Sequence, residues 1–233
     1  MSTEPLLGIA DPFSALTHLV GALIALAAGV SLMARPFRHW GHRLAAGVFP
    51  LSCVFLLSMS GVFHLLPNGT HARFVLQALD HAAIFTLIAA TFTPIHAIAF
   101  RGAWWRWGML AFVWTAAVAA ISLTSIYFSE TPEWLGLLLY LGLGWLGAAS
   151  GFKLWWHLGF RFIRPLTWGA LAYTAGALLD FFRFPVLIPG IVGPHELFHL
   201  AVLAGIIWHW RFIAGLVSGD TVIGPKGGAA AFA

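Results

Sequence analysis

Residues 13–34, FSALTHLVGALIALAAGVSLMA, decide the fold, because none of these 22 residues is Asp, Glu, Lys or Arg. A helix of this length reaches about 33 Å, enough to cross the hydrocarbon core of a bilayer. The whole chain has the same character: 60% of its 233 residues are hydrophobic, 9% are charged, and the mean hydropathy is +0.88. In soluble domains about a quarter of the residues are charged. The composition therefore excludes a soluble enzyme, a disulfide scaffold and a nucleic-acid-binding domain.

Seven stretches of the chain are long and apolar enough to form transmembrane helices. They lie at about residues 13–34, 44–66, 74–100, 104–128, 134–155, 166–182 and 194–217. The sequence therefore predicts an all-α integral membrane protein whose residues 1–217 form a seven-transmembrane helix bundle. The connections are short, so neighbouring helices should be antiparallel. Residues 218–233 are rich in Gly and Ala, and we expect them to form a flexible tail.

The charged residues are divided unequally between the two ends of the predicted bundle. One end, called the basic end here, holds ten of the twelve Lys and Arg residues: Arg35, Arg38, Arg43, Arg101, Arg106, Lys153, Arg161, Arg164, Arg211 and Lys226. The opposite, acidic end holds Arg73, Arg183 and seven of the eight acids. Because cytoplasmic loops of membrane proteins are enriched in Lys and Arg, this division predicts an external N-terminus and a cytoplasmic C-terminus.

Five polar residues fall inside the spans near the acidic end. Ser60 and His64 are four residues apart at the end of the second span, and His195 and His199 are four apart at the start of the seventh. Each pair therefore shares one helix face. Asp80 lies about two turns into the third span. Polar and ionisable side chains are costly in a membrane and mark functional sites, so these residues are the candidate site.

Three imidazoles with one coordination position left open are the ligand set of catalytic zinc. The pattern predicts a zinc ion held by His64, His195 and His199. Asp80 could accept a hydrogen bond from a metal-bound water, whose pKa zinc lowers to about 7. Ser60 could donate a hydrogen bond to a substrate carbonyl or hold Asp80.

Simpler interpretations stay open for the same residues. A histidine in a membrane helix can serve as an interhelical hydrogen-bonding group. Asp80 could pair with Arg73 or with His81, and Ser60 could lie at a helix–helix contact. Of the other candidates, Glu196 points away from the histidine face, and Asp180 is most simply the partner of Arg183 in an interfacial ion pair.

The motifs around these residues resemble a known family. They are Ser60-x3-His64, the stretches LDHAAI at 79–84 and TFTP at 91–94, and His195-x3-His199 followed ten residues later by His209. Weaker similarities are Thr17-His18-x-x-Gly21 and Tyr173-Thr174-x-Gly176. In this order and at these spans they resemble the hemolysin III branch of the progestin and adipoQ receptor (PAQR) family, in the superfamily that includes the alkaline ceramidases.

The resemblance implies a seven-helix bundle in a bacterial inner membrane. It also implies a zinc ion held by His64, His195 and His199, with Asp80 holding the zinc-bound water and Ser60 beside it. The chain departs from the family pattern in two ways. Ser14 stands where the first-span motif usually has Asn, and the family is expected to have a cytoplasmic N-terminus, opposite to the orientation that the charges predict.

Several functions are compatible with these features. Because relatives show ceramidase-type activity, the leading hypothesis is a zinc-dependent hydrolase that acts on amides or esters of membrane lipids. Alternatives are a zinc-containing sensor of membrane lipid state without hydrolysis, a pore, as the old family name suggests, and a haem-binding electron carrier. A retinal protein is excluded because its Schiff base needs a lysine inside a span, and Lys153 and Lys226 lie at a span end and in the tail. The substrate, the oligomeric state and the roles of His18, His81 and His209 stay open.

Overall fold

The computed structural model describes residues 9–218, 222–223 and 229–230, and most of them are helical. The helices are α1 Pro12–Met33, α2 Trp40–Leu65, α3 His71–Ala99, a π-helix Trp104–Gly108 that leads into α4 Met109–Ile126, α5 Glu133–Trp145, α6 Gly147–Leu158, α7 Phe160–Phe181 and α8 Pro194–Val217. A short antiparallel pair, β1 Val222–Ile223 and β2 Ala229–Ala230, follows. Apart from Ser218 and these two strands, the tail predicted to be flexible lies outside the described residues.

Six of the predicted spans correspond to helical segments that are long and apolar enough to cross a membrane. They are α1, α2, α3, the π-helix with α4, α5 with α6, and α8. The prediction of an all-α multi-pass membrane protein is therefore confirmed. Helix α7 is not among these segments, although its 22 residues are long enough, because Arg161, Arg164 and Asp180 make it more polar. The count of seven spans stays a prediction.

The main differences from the predicted boundaries lie in the fifth and sixth spans. The fifth predicted span is broken at Leu146 into α5 and α6. The sixth begins earlier than residue 166, because α7 starts at Phe160 directly after Gly159 ends α6. Gly159 has a φ of 79°, a left-handed conformation that glycine adopts without the steric cost of a side chain. Gly159 is therefore the single residue that connects α6 to α7.

The bundle is built around α3, which packs against α2, α4, α5 and α8, while α7 packs along α8. One apolar core joins α1, α2, α3 and α8 around buried residues such as Phe49 and Leu57, and a second joins α3 and α4 around Phe85 and Val113. On the outside, large apolar side chains such as Leu51 are exposed. An apolar exterior over a packed interior is the arrangement expected of a protein surrounded by lipid.

Small residues allow two helix pairs to approach closely near the acidic end. A Cβ atom added at Gly61 of α2 would lie 2.7 Å from Leu19 Cγ of α1, and one added at Gly176 of α7 would lie 2.5 Å from Ala201 Cβ of α8. Close approach through small residues is common where membrane helices associate. The first contact brings the start of α1 to the end of α2, and the second brings the end of α7 to the start of α8. The candidate histidines lie at these ends of α2 and α8.

Polar side chains near the candidate histidines cap the start of α8 and the end of α2. Helix α8 begins with Pro194, and Glu196 accepts a hydrogen bond from the Gly193 amide at 2.9 Å. Glu196 also accepts a hydrogen bond from the Ser14 hydroxyl at 3.4 Å, so it points away from the histidine face, as predicted. At the end of α2, Arg73 donates to the carbonyl oxygens of Phe63 and Leu66, at 3.0 and 2.6 Å. An arginine at a helix C-terminus satisfies carbonyl groups that lack a partner within the helix.

Candidate metal centre

Three histidine rings meet where the end of α2 reaches the start of α8. The Nε2 atom of His195 lies 3.3 Å from His64 Nε2 and 3.1 Å from His199 Nε2. One ligand atom from each ring lies within 4.8 Å of the other two. The structure thus brings together the three residues that were predicted to share a metal ion, and their arrangement could hold one.

The distances fit a cation better than they fit hydrogen bonds between the rings. A neutral imidazole nitrogen offers either one N–H or one lone pair, so His195 Nε2 cannot satisfy two facing nitrogens at once. A metal ion placed among three lone pairs satisfies all of them. Tetrahedral zinc with Zn–N bonds of 2.0–2.1 Å would hold its nitrogen ligands about 3.3 Å apart, close to the separations observed. Among the described residues, no fourth His, Cys, Asp or Glu joins the group, which leaves one position of such an ion open.

Two carboxylates lie behind the histidines and orient them. Asp11 Oδ2 is 3.0 Å from His64 Nδ1, and Asp180 Oδ1 is 3.3 Å from His195 Nδ1. A carboxylate at Nδ1 favours the tautomer that carries its proton there, so the Nε2 lone pair is available to a metal. Both contacts therefore direct Nε2 into the cluster.

Sequence reasoning missed the role of both acids. Asp180 does form the predicted ion pair with Arg183, at 3.8 Å, but its contact with His195 was not predicted. For Asp11 the sequence predicts no role beyond its place among the seven acids of the acidic end. The signal that could have identified them is general: a metal-binding histidine almost always has a hydrogen-bonding partner at its other ring nitrogen, and acids are concentrated at this end of the bundle.

His199 is positioned by packing instead of by a carboxylate. It is 1% exposed, and its ring stacks on His18 of α1 with centroids 3.9 Å apart and planes 18° apart. Its Nδ1 atom has no hydrogen-bond partner among the described residues. His18 itself does not belong to the ligand group, and it supports the third ligand through ring contact.

Asp80 and Ser60 lie beside the cluster and contribute no atom to the ligand group. Both side chains line the cavity described below, and the two roles predicted for the Ser60 hydroxyl stay predictions. Arg73, the alternative partner for Asp80, instead donates to Asp11 at 2.8 Å. Asp80 is therefore not held by that arginine.

A cavity of about 770 Å³ extends from the cluster into the bundle. Asp80, Ser60, His195 and His199 line one end of it, and the 40% of the His195 side chain that is exposed is accessible from this space. Most of the wall is apolar, from α3, α5, α6, α7 and α8. Its volume lies in the range of small-molecule sites, which are mostly apolar with a few placed polar groups. The cavity therefore joins the candidate metal centre to a compartment suited to a hydrocarbon chain.

Comparison with known proteins places the chain among similar membrane proteins. Residues 9–210 match the family described as Haemolysin-III related. The chain is 30% identical over 194 residues to Hemolysin-3 of Bacillus cereus, covering 82% of this chain and 84% of that protein. It is 27% identical over 194 residues to the Hemolysin-3 homolog of Bacillus subtilis, covering 82% and 87%. It is 28% identical over 205 residues to Heptahelical transmembrane protein 4 of Arabidopsis thaliana, covering 80% of this chain and 50% of the plant protein.

Proposed function

The chain belongs to the hemolysin III/PAQR family, and on that premise we propose that it is a zinc-dependent hydrolase of membrane-lipid amides or esters. The observation that carries the proposal is a cluster of three imidazoles beside an apolar cavity, which is lined by two of them, His195 and His199, and by Asp80. The hydrocarbon part of a substrate would occupy the cavity. Its amide or ester group would lie at the polar end, near the lipid headgroups.

The donor set favours zinc among the common metals. Hard cations such as Mg²⁺ and Ca²⁺ prefer oxygen ligands, whereas imidazole suits zinc and other transition metals. Three protein ligands with an open fourth position are the usual arrangement of catalytic zinc, whereas structural zinc has four protein ligands. Bound zinc would supply a Lewis acid that polarises a carbonyl group and acidifies water.

The protein's own residues would supply positioning and proton transfer. Asp80 lines the cavity together with His195 and His199, and from there its carboxylate would accept a proton from the attacking water and pass it to the leaving group. The Ser60 hydroxyl, which lines the same cavity, would hold that carboxylate in place. Asp11 and Asp180 lie at Nδ1 of His64 and His195, where they would favour the tautomers whose inward-facing Nε2 carries a lone pair. The apolar wall limits the access of bulk water to the reacting group.

A sensor that binds lipid without hydrolysing it is the second candidate. It is supported by the way the ligand group joins the end of α2 to the start of α8, a role that needs no proton transfer by Asp80. In that case the zinc ion would fix α2 and α8 together, and the cavity would report which lipid is present.

Metal analysis and a lipid assay test the proposal. Purified protein should hold about one zinc ion per chain, and His64→Ala and His199→Ala should each lose it, because only two nitrogen ligands would remain. Hydrolysis of a panel of lipid amides and esters should be abolished by Asp80→Ala with the zinc retained. Glu130→Gln, which changes an exposed acid at the same end, is the matched control. Full zinc with no hydrolysis of any lipid by the wild type would favour the sensor, and full activity of Asp80→Ala would refute the role of that carboxylate.

We also propose that α7 crosses the membrane as the sixth of seven spans and that the N-terminus is external. Support comes from the ends of α7: it begins one residue after α6, and its last turn is at the acidic end, where Asp180 meets His195. The Arabidopsis relative is itself named as heptahelical. Reporter fusions after residue 217 should read as cytoplasmic. A periplasmic signal there would refute the orientation.

A further inference from the structure

A second pocket lies at the basic end of the bundle, away from the histidine cluster. It has a volume of about 530 Å³ and lies between the α1–α2 connection, the start of α2 and the segment after α3. Arg38, His39, His42, Arg101 and Arg106 line it. None of the described residues that line it is acidic. Three guanidinium groups and two imidazoles thus share one concave surface, which no carboxylate from the described part of the chain lines.

One side chain of this pocket, Arg106, offers a hydrogen-bond donor that no described residue accepts. The Nε atom of Arg106 is buried and has no hydrogen-bond partner among the described residues. Its guanidinium group packs over the Trp107 ring at 4.9 Å. A buried donor without an acceptor is unfavourable, so a ligand that brings acceptor atoms would relieve it. Neighbouring Arg43 is different, because it donates to the Met33 carbonyl oxygen at 2.8 Å.

The floor and the rim of the pocket suit a ligand with both polar and apolar parts. Ala97, Ile98 and Phe100 form an apolar floor. Trp104 and Trp107, in the π-helix that carries Arg106, are 67% and 59% exposed. Exposed tryptophans of this kind lie at the level of lipid headgroups in membrane proteins. The pocket therefore opens where phosphate groups of lipids are found.

We propose that this pocket binds a phosphate group, presented either by an anionic phospholipid or by a soluble phosphate. Arginine is the residue best suited to such a ligand, because its planar group can donate two parallel hydrogen bonds to phosphate oxygens. The apolar floor and the exposed tryptophans favour the lipid as the source. A basic pocket between membrane helices is a recognised form of lipid headgroup site.

Arginines whose role is to orient the chain in the membrane would not have to line a pocket, so arginines outside the pocket can serve as controls. Arg161 and Arg164 lie at the same end, are exposed, and do not line it. They contribute to the same charge bias, so they are matched controls. Loss of two positive charges at Arg161 and Arg164 changes the net charge as much as loss of two at Arg101 and Arg106.

The test measures binding of lipid and of phosphate to the full-length protein purified in detergent. Native mass spectrometry would compare phosphatidylglycerol with phosphatidylcholine of the same acyl chains, and a separate arm would titrate inorganic phosphate. The proteins are the wild type, the pair Arg101→Gln/Arg106→Gln, and the control pair Arg161→Gln/Arg164→Gln. Gel filtration would check that each is folded. Arg101→Gln alone, at an exposed position, serves if the double variant does not fold.

The wild type should prefer phosphatidylglycerol to phosphatidylcholine. The pocket pair should bind phosphatidylglycerol at least about tenfold more weakly than the wild type, because each charge-assisted contact is worth about a tenfold change in affinity. The control pair should stay within about twofold, as expected for an exposed charge. If inorganic phosphate binds with the same sensitivity to the pocket pair, the ligand is a soluble phosphate; if it does not, the ligand is a lipid. Equal weakening of binding in the pocket pair and the control pair would overturn the proposal. So would a wild type that neither prefers phosphatidylglycerol to phosphatidylcholine nor binds inorganic phosphate.

Discussion

Replacement of Asp11 by asparagine should weaken zinc binding although Asp11 is not one of the three ligand residues. Asp11 Oδ2 lies 3.0 Å from His64 Nδ1 and 2.8 Å from Arg73. The Asp11 amide also donates to the His64 carbonyl oxygen at 3.1 Å. Asparagine keeps the shape of the side chain and this backbone contact. What it removes is the negative charge that favours a proton on Nδ1 and a lone pair on Nε2.

The size of the effect follows from the surroundings of the contact. The His64 side chain is 3% exposed and that of Asp11 is 19% exposed, so solvent screens their interaction only partly. A hydrogen bond to a charged group contributes about 1.5–3 kcal/mol when it is protected in this way. Since 1.4 kcal/mol is a tenfold change in affinity, Asp11→Asn should weaken zinc binding about 10- to 100-fold, the range found when such partners of metal ligands are changed.

The assay is equilibrium dialysis of the purified protein against zinc buffered at a series of free concentrations, with bound zinc measured by mass spectrometry. Glu130→Gln is the control, because it removes an exposed acid from the same end of the bundle. A zinc affinity of Asp11→Asn within twofold of the wild type would refute the argument. Equal weakening by Glu130→Gln would show a general effect of charge and not of the contact with His64.

Three further predictions concern the same site and its support. Asp180→Asn should weaken zinc binding less than Asp11→Asn does in the same dialysis assay, because its contact with His195 is longer, at 3.3 Å, and more exposed. Gly205→Ala should destabilise the fold by about 1–3 kcal/mol, seen as a lower thermal midpoint, because the added Cβ would lie 2.5 Å from the Tyr173 ring; Gly142→Ala, with no atom within 4 Å of its Cβ, should not lower it. Removal of zinc by a chelator should lower the thermal midpoint of the wild type, with recovery on adding zinc back, since a ligand of the folded state stabilises it; an unchanged midpoint would contradict this.

The convergence of the histidines could be predicted because it depends on periodic features. A spacing of four places two side chains on one helix face. Because successive spans alternate in direction, the C-terminal end of α2 and the N-terminal end of α8 lie on the same side of the membrane. His64, His195 and His199 were therefore expected together, and their ligand atoms do meet. The metal itself, and the roles of Asp80 and Ser60, stay predictions.

Asp11 could not be assigned in the same way. It precedes the first turn of α1, so no helical spacing connects it to the cluster. Its contact with His64 depends on how closely α1 packs against α2, which in turn depends on Gly61 and Leu19. The stacking of His18 on His199 has the same origin, because it joins α1 to α8. Contacts of this kind come from tertiary packing and leave no pattern in a single sequence.

The span boundaries failed where hydropathy and helix continuity differ. Residues 141–149, LGLGWLGAA, include no charged residue, hydroxyl residue or proline, so a count of apolar residues cannot detect the break at Leu146. Conversely, the charges of Arg161 and Arg164 led to a predicted start at residue 166, although the helix begins at Phe160. Long basic side chains at a span end can reach the interface while the helix continues, so composition marks the membrane boundary and not the helix boundary.

The pairing of charges at the acidic end changes how the orientation should be argued. The acids Asp11, Asp180 and Glu196 contact histidine ligands or cap α8, so their place there is explained by the site. Acids also contribute little to topology.

The two basic residues of that end are both paired, Arg73 with Asp11 and Arg183 with Glu133, each at 2.8 Å. They are therefore explained by local partners too. The external N-terminus then rests on the Lys and Arg residues of the basic end alone, and the expectation drawn from the family must be weighed against these and not against the acids.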